Sequence, residues 1–95
     1  MDKIIEKIIE FRNSRGWKES DKPSSLAKSI LIEAAELLEL FQWNNENYDV
    51  NDIKDEVADI LMYTLALSYD LGINIEKAIE DKIRKNQIRY PSKDK

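Results

Sequence analysis

Isoleucines return at helical spacing from the start of the chain. Ile4, Ile8 and Phe11 fall on one stripe, with Ile5 and Ile9 beside them and charged residues between. This pattern predicts an amphipathic helix over about Asp2 to Arg15, with Gly16 as its stop. A polar loop runs from Trp17 to Pro23. Ser24 or Ser25 is then placed to cap a second helix, because a serine oxygen accepts an amide proton left free in the first turn. That helix extends to about Trp43. Ala27, Ile30, Leu31, Ala34, Leu37, Leu38 and Phe41 form a broad apolar face, which Ile32, Ala35 and Leu40 widen. A helix apolar nearly all round is usually buried on several sides, and in a short chain this points to a partner subunit.

After a loop at Asn44 to Asn47, Asp49 or Asn51 caps a third helix reaching about Leu71. Its apolar positions are Ile53, Val57, Ile60, Leu61, Thr64 and Leu67. Gly72 is placed for the left-handed turn that closes many helices. Asn74 caps a fourth helix with Ile75, Ala78, Ile79 and Ile83 facing inward, ended by Pro91. The expected fold is all-α, an antiparallel bundle of about four helices joined by short connections. Residues 1–91 form one domain, and residues 92–95 a charged tail.

Composition then narrows the chemistry. The chain has no cysteine and no histidine. Disulfides, thiol nucleophiles, zinc–thiolate sites, histidine metal clusters and Ser-His-Asp triads are all excluded. Acid–base or metal chemistry must rest on carboxylates, lysine, tyrosine or water. The net charge of −4 sets the overall field against a nucleic-acid polymer. No apolar run reaches membrane-spanning length, and Met1 to Phe11 does not look like a signal peptide. A cytoplasmic protein without a membrane partner is expected.

Carboxylates interrupt the apolar pattern at two places. Glu33 and Glu36 share a face of the second helix, and Glu56 and Asp59 repeat the spacing on the third. If these helices pack antiparallel, the four side chains face one another. Two like charges about 4 Å apart repel by about 4 kcal/mol at an effective dielectric of about 20. Either the pKa values rise or a cation sits among them. All-oxygen ligation suits Mg²⁺, a hard ion that also binds phosphate oxygens. The competing reading is a solvated acidic surface: 19 of 95 residues are acidic, so a single such pair would carry little weight. Glu39 either extends the acidic face or is solvated.

Trp43 lies two turns beyond Glu36, and Tyr63 two turns beyond Glu56. Aromatic rings there can stack on a base or serve as core and rim residues. On the fourth helix Lys82, Asn86 and Arg89 form one stripe, with Lys85 beside it. They suit phosphate contacts, or a basic last turn complementing the helix dipole.

The ordered set of motifs resembles a known family. Glu33-Ala-Ala-Glu36 followed by Glu56-Val-Ala-Asp59 is similar to the ExxE…ExxD signature of the MazG-like all-α nucleotide pyrophosphohydrolases. Glu36-Leu-Leu-Glu-Leu-Phe-Gln-Trp43, Asp55-Glu-Val-Ala-Asp-Ile-Leu-Met-Tyr63 and Lys85-Asn-Gln-Ile-Arg-Tyr-Pro91 resemble its dCTP pyrophosphatase-like branch. The resemblance covers about residues 11–91. It implies a MazG-like bundle assembled as a homodimer, or as a homotetramer built as a dimer of dimers. It also implies hydrolysis of a nucleoside triphosphate by water attack at the α-phosphate, giving monophosphate and pyrophosphate. Glu33, Glu36, Glu56 and Asp59 would hold Mg²⁺, with Mn²⁺ as a substitute, and act in catalysis. Trp43, Tyr63 and Asn86 would line the nucleotide pocket, and Lys82, Lys85 and Arg89 would meet phosphates. That branch often carries a histidine in the loop before the second helix. Residues Trp17 to Ser25 contain none, so a cytosine preference does not carry over. Two other readings compete: a phosphoribosyl-ATP pyrophosphohydrolase, and a non-catalytic helical interaction module.

Overall fold

The computed structural model describes residues 1–42 and 47–93. Among these residues there are four helices and no strand: α1 (Asp2–Ser14), α2 (Pro23–Glu39), α3 (Val50–Asp70) and α4 (Ile75–Arg89). No helix among them is long and apolar enough to cross a membrane.

Local chemistry accounts for most boundaries. Gly16 and Gly72 both adopt φ +69°, a region closed to most side chains. The amide after each reaches back five residues, Trp17 N to Arg12 O at 3.1 Å and Ile73 N to Ser68 O at 2.8 Å. Both helices thus close with the left-handed motif, expected at Gly72, and Gly16 is the stop read for α1. Asp49 caps α3 by accepting from Asn51 N at 2.9 Å, and Asn74 caps α4 by accepting from Lys77 N at 3.1 Å. The start of α2 departs from the expected serine cap. Its N-cap is Lys22, without a side-chain cap, and Ser24 and Ser25 lie inside the first turn. Pro23 explains the shift: its φ is already set for a first helical residue, and its missing N–H needs no partner there. α2 also ends earlier than expected, at Glu39. Leu40, Phe41 and Gln42 continue as tighter turns, each amide bonding three residues back. The rings of Phe41 and Tyr48, 5.2 Å apart, join the two ends of the α2–α3 connection.

α2 and α3 form the principal pair. Leu26, near the start of α2, packs with Leu65 and Ala66 near the end of α3, so the two run antiparallel. Ile8 of α1 completes this small core, and Ile5, Ile9, Tyr63, Leu67 and Ile75 pack around it. A bidentate ion pair locks α1 to α3: Arg12 Nη1 and Nη2 donate to the Asp70 carboxylate at 2.6 and 2.8 Å. The Arg12 side chain is only 4% exposed.

The single chain does not close into a compact four-helix bundle. α4 has no buried residue, and the expected inward positions Ile79 and Ile83 are half exposed. The radius of gyration is 16.3 Å, against about 12 Å for a compact domain of this length. Much of the apolar face assigned to α2 is also open, with Leu31 71% and Leu38 69% exposed. Ile75 joins α4 to the core, and the N-terminal ammonium meets Glu76 at 3.1 Å. An amphipathic stripe specifies that a helix has an apolar side, and leaves open which chain covers it.

Candidate metal centre

The antiparallel pairing brings the two acidic motifs together. Glu33 from α2 and Glu56 and Asp59 from α3 each offer a carboxylate oxygen within 4.8 Å of the others. Glu36 stands beside them: it shares a hydrogen bond with Glu33 and its charge bears on Glu56.

Such crowding opposes ionisation. Glu33 is pushed up to about 7, first by the hydrogen bond with Glu36, then by loss of water and by the charges of Glu36, Glu56 and Asp59. Glu56 is raised by loss of water and by the neighbouring Glu36 and Asp59 carboxylates. The charges that act most strongly on both groups are those of neighbouring carboxylates. In addition, Glu56 Oε2 is buried with no hydrogen-bond partner. A buried acceptor without a partner is costly, and a divalent cation would satisfy it. The donors are all oxygen, as a hard cation requires, so the residues present fit a metal ion of the Mg²⁺ type.

Tyr63 lies one turn beyond Asp59 and beside the cluster. Burial raises its phenol pKa, and the charges of Glu33 and Asp59 add to the effect. It faces a cavity of about 290 Å³ between α1, the α1–α2 loop, α2 and α3. Phe11 and Trp17 form one wall of this cavity, their rings edge to face at 5.6 Å, with Met62 and Tyr63 also lining it. Arg12, Asp21 and Asp59 supply its charged groups. Sequence reasoning did not assign Phe11, Arg12, Trp17 or Asp21 to a site. The one available signal was a tryptophan in an otherwise polar loop directly before α2. A larger cavity, about 580 Å³, lies between the starts of α1 and α4 and contains none of the four clustered carboxylates.

The expected site residues of α4 are not brought to this centre within one chain. Trp43 lies outside the described residues. Lys82, Lys85, Asn86 and Arg89 are exposed on α4, which does not pack on α2. Arg89 lies over its neighbour Tyr90 at 5.3 Å. Asp81, on the same helix, pairs with Lys77 at 3.1 Å and with Arg84.

Residues 28–95, which include all four clustered carboxylates and α4, match the MazG-like family. The chain belongs to the MazG-like family. Among curated relatives it is 29% identical to dCTP pyrophosphatase 1 of Mus musculus over 91 residues, covering 86% of this chain and 54% of that protein. It is 28% identical to dCTP pyrophosphatase 1 of Homo sapiens over 92 residues, covering 87% and 54%. The chain therefore spans about half the length of these relatives. A solved pyrophosphatase from Archaeoglobus fulgidus DSM 4304 is 37% identical, with a TM-score of 0.87 over 97% of this chain and 93% of that one.

Proposed function

We propose that this chain is a Mg²⁺-dependent nucleoside triphosphate pyrophosphohydrolase. It hydrolyses the α–β anhydride to a nucleoside monophosphate and pyrophosphate. The observation that carries this reading is the acidic cluster bridging α2 and α3, with one buried carboxylate oxygen unpartnered and neighbouring carboxylates raising Glu33 and Glu56. Membership of a family with named pyrophosphatase relatives supports it.

Glu33, Glu36, Glu56 and Asp59 would hold Mg²⁺ or Mn²⁺. Such an ion lowers the pKa of a water and offsets charge on the phosphates. The chain's own part is threefold. The carboxylates would hold the ion between α2 and α3, and Glu33 would have to be ionised to do so. A carboxylate oxygen not used to hold it would accept the proton of the attacking water. Tyr63, with Trp43 by resemblance, flanks the nucleotide.

The basic stripe Lys82, Lys85, Asn86 and Arg89 suits the phosphates, but α4 does not approach the acidic cluster of its own chain. A homodimer or homotetramer resolves this, with α4 of one subunit reaching the centre of another. The open apolar residues Leu31 and Leu38 on α2 and Ile79 and Ile83 on α4 support such an assembly. The enzyme would act on the cytoplasmic nucleotide pool.

The test is pyrophosphate release from a panel of NTPs and dNTPs with Mg²⁺, beside Glu36→Ala. Release by the wild type and loss in the variant is expected. A folded wild type that releases no pyrophosphate from any nucleotide would overturn the reading in favour of a binding role.

A further inference from the structure

The buried pair between α1 and α3 stands apart from the carboxylate cluster. Asp70 follows Asp59 by eleven residues on α3, about 16 Å along the helix axis. Stability alone accounts poorly for this pair. The Arg12 side chain is only 4% exposed, and its Nε is buried without a partner. Apolar side chains of similar volume in such a place are often neutral or more stable. What the arginine fork adds is direction. Its two parallel bonds, at 2.6 and 2.8 Å, fix the rotation of α1 on α3 as well as its distance.

That direction passes on to the loop after α1. Arg12 O accepts the amides of Arg15 and Trp17, at 3.2 and 3.1 Å. Trp17 O in turn accepts the Ser20 and Asp21 amides, at 3.1 and 2.9 Å, and the Ser20 hydroxyl at 3.0 Å. Phe11, next to Arg12 in the chain, sets its ring edge to face on Trp17. The loop lies close to the pair, since the charge of Asp21 bears on Arg12 and that of Lys18 on Asp70. The stretch from Phe11 to Asp21 is thus one hydrogen-bonded unit whose polar anchor on α3 is Asp70. The same helix carries Asp59 and Tyr63, which line the cavity together with that unit.

We propose that Arg12 and Asp70 are a positioning pair: by fixing α1 on α3 they hold the Phe11–Trp17 wall in register with Tyr63 and the carboxylate cluster, and so set how tightly the nucleotide is held. The inference rests on the pyrophosphohydrolase reading, in which Tyr63 flanks the nucleotide. Neither residue takes part in the chemistry. Their effect falls on binding, because the groups that meet the α-phosphate sit on α2 and α3 and do not depend on α1.

The test uses two variants. Arg12→Lys keeps the charge and loses the fork. Arg12→Met with Asp70→Leu removes the pair without leaving a buried charge. Hydrolysis of dCTP, dTTP, dATP and dGTP is followed with saturating Mg²⁺, well below the melting temperature of each protein. KM should rise by about tenfold or more in both variants, with kcat changed by less than about threefold. Mn²⁺ affinity should stay at its wild-type value. A merely structural pair would lower the melting temperature and leave KM alone. An unchanged KM in folded Arg12→Lys, or a double variant with the wild-type KM, would therefore overturn the proposal.

A second arm needs no hydrolysis. In chelator, amide hydrogen exchange at Trp17, Ser20 and Asp21 should be about tenfold faster or more in Arg12→Lys. The Lys77 amide, capped by Asn74 on α4, should keep its wild-type rate. Loop amides at wild-type rates, or an acceleration shared equally by Lys77, would overturn the positioning. Faster loop exchange in a protein that hydrolyses no triphosphate supports the anchoring of the loop while the hydrolase reading falls. Hydrolysis with KM unmoved sinks the positioning and leaves that reading standing.

Discussion

If the acidic cluster holds a metal, binding must displace protons near neutral pH. Glu33 is held at about 7 by its hydrogen bond with Glu36, by lost hydration and by three neighbouring carboxylates. A coordinating carboxylate must be ionised, so the ion competes with that proton. With one group at pKa about 7, the apparent affinity is about elevenfold weaker than its high-pH limit at pH 6, about twofold weaker at pH 7 and about 10% weaker at pH 8. The proton released per ion should fall from about 0.9 at pH 6 to about 0.5 at pH 7 and about 0.1 at pH 8. Glu56, also raised, adds to these counts. Titration calorimetry with Mn²⁺ in two buffers of different ionisation enthalpy reads both quantities. Glu33→Gln should flatten the pH dependence as well as weaken binding. Affinity that is independent of pH between 6 and 8, with no proton release, would refute the reasoning.

Removing the metal exposes the same repulsion as a stability effect. Glu33 holds its proton more tightly folded than unfolded, so metal-free protein should lose stability as pH rises from about 4.5 to about 7. Glu56→Gln should raise the melting temperature of the metal-free protein at pH 8 and abolish the rise on adding metal. Asp70→Asn leaves the Arg12 charge buried and should cost about 2–4 kcal/mol in urea unfolding at fixed protein concentration. Asp70 is held below the usual carboxylate range by Arg12, so its contribution is present above pH 4 and is lost as pH falls through its lowered folded value. The gap between wild type and variant should therefore narrow and close as pH falls below the usual carboxylate range; a gap that persists in strong acid contradicts the role of the pair. Leu31→Glu with Leu38→Glu should shift sedimentation toward the monomer, since each leucine contributes about 1.5–3 kcal/mol when covered. An unchanged assembly would show that α2 is not the subunit contact.

The legible parts of this fold are those decided within a few residues. Gly16, Gly72, Asp49 and Asn74 act through their own backbone or a side chain reaching one turn, and all four stop or start helices as read. The acidic quartet was legible because spacing fixes the face and a short connection fixes the antiparallel pairing. The start of α2 was misread because a serine cap and a proline first residue compete, and proline prevails. The Arg12–Asp70 pair joins positions 58 apart, and no local pattern announces it. The cavity was hidden for a similar reason: Asp21 and the Trp17 wall come from a loop whose path depends on packing. The stance of α4, with Ile79 and Ile83 half exposed, was not legible because periodicity marks an apolar stripe without saying what covers it.

Hydrolysis in ¹⁸O-labelled water, with mass analysis of both products, tests the central claim most directly. Attack at the α-phosphorus predicts the label in the nucleoside monophosphate and unlabelled pyrophosphate. Label in the pyrophosphate, or release of inorganic phosphate with a nucleoside diphosphate, would contradict it.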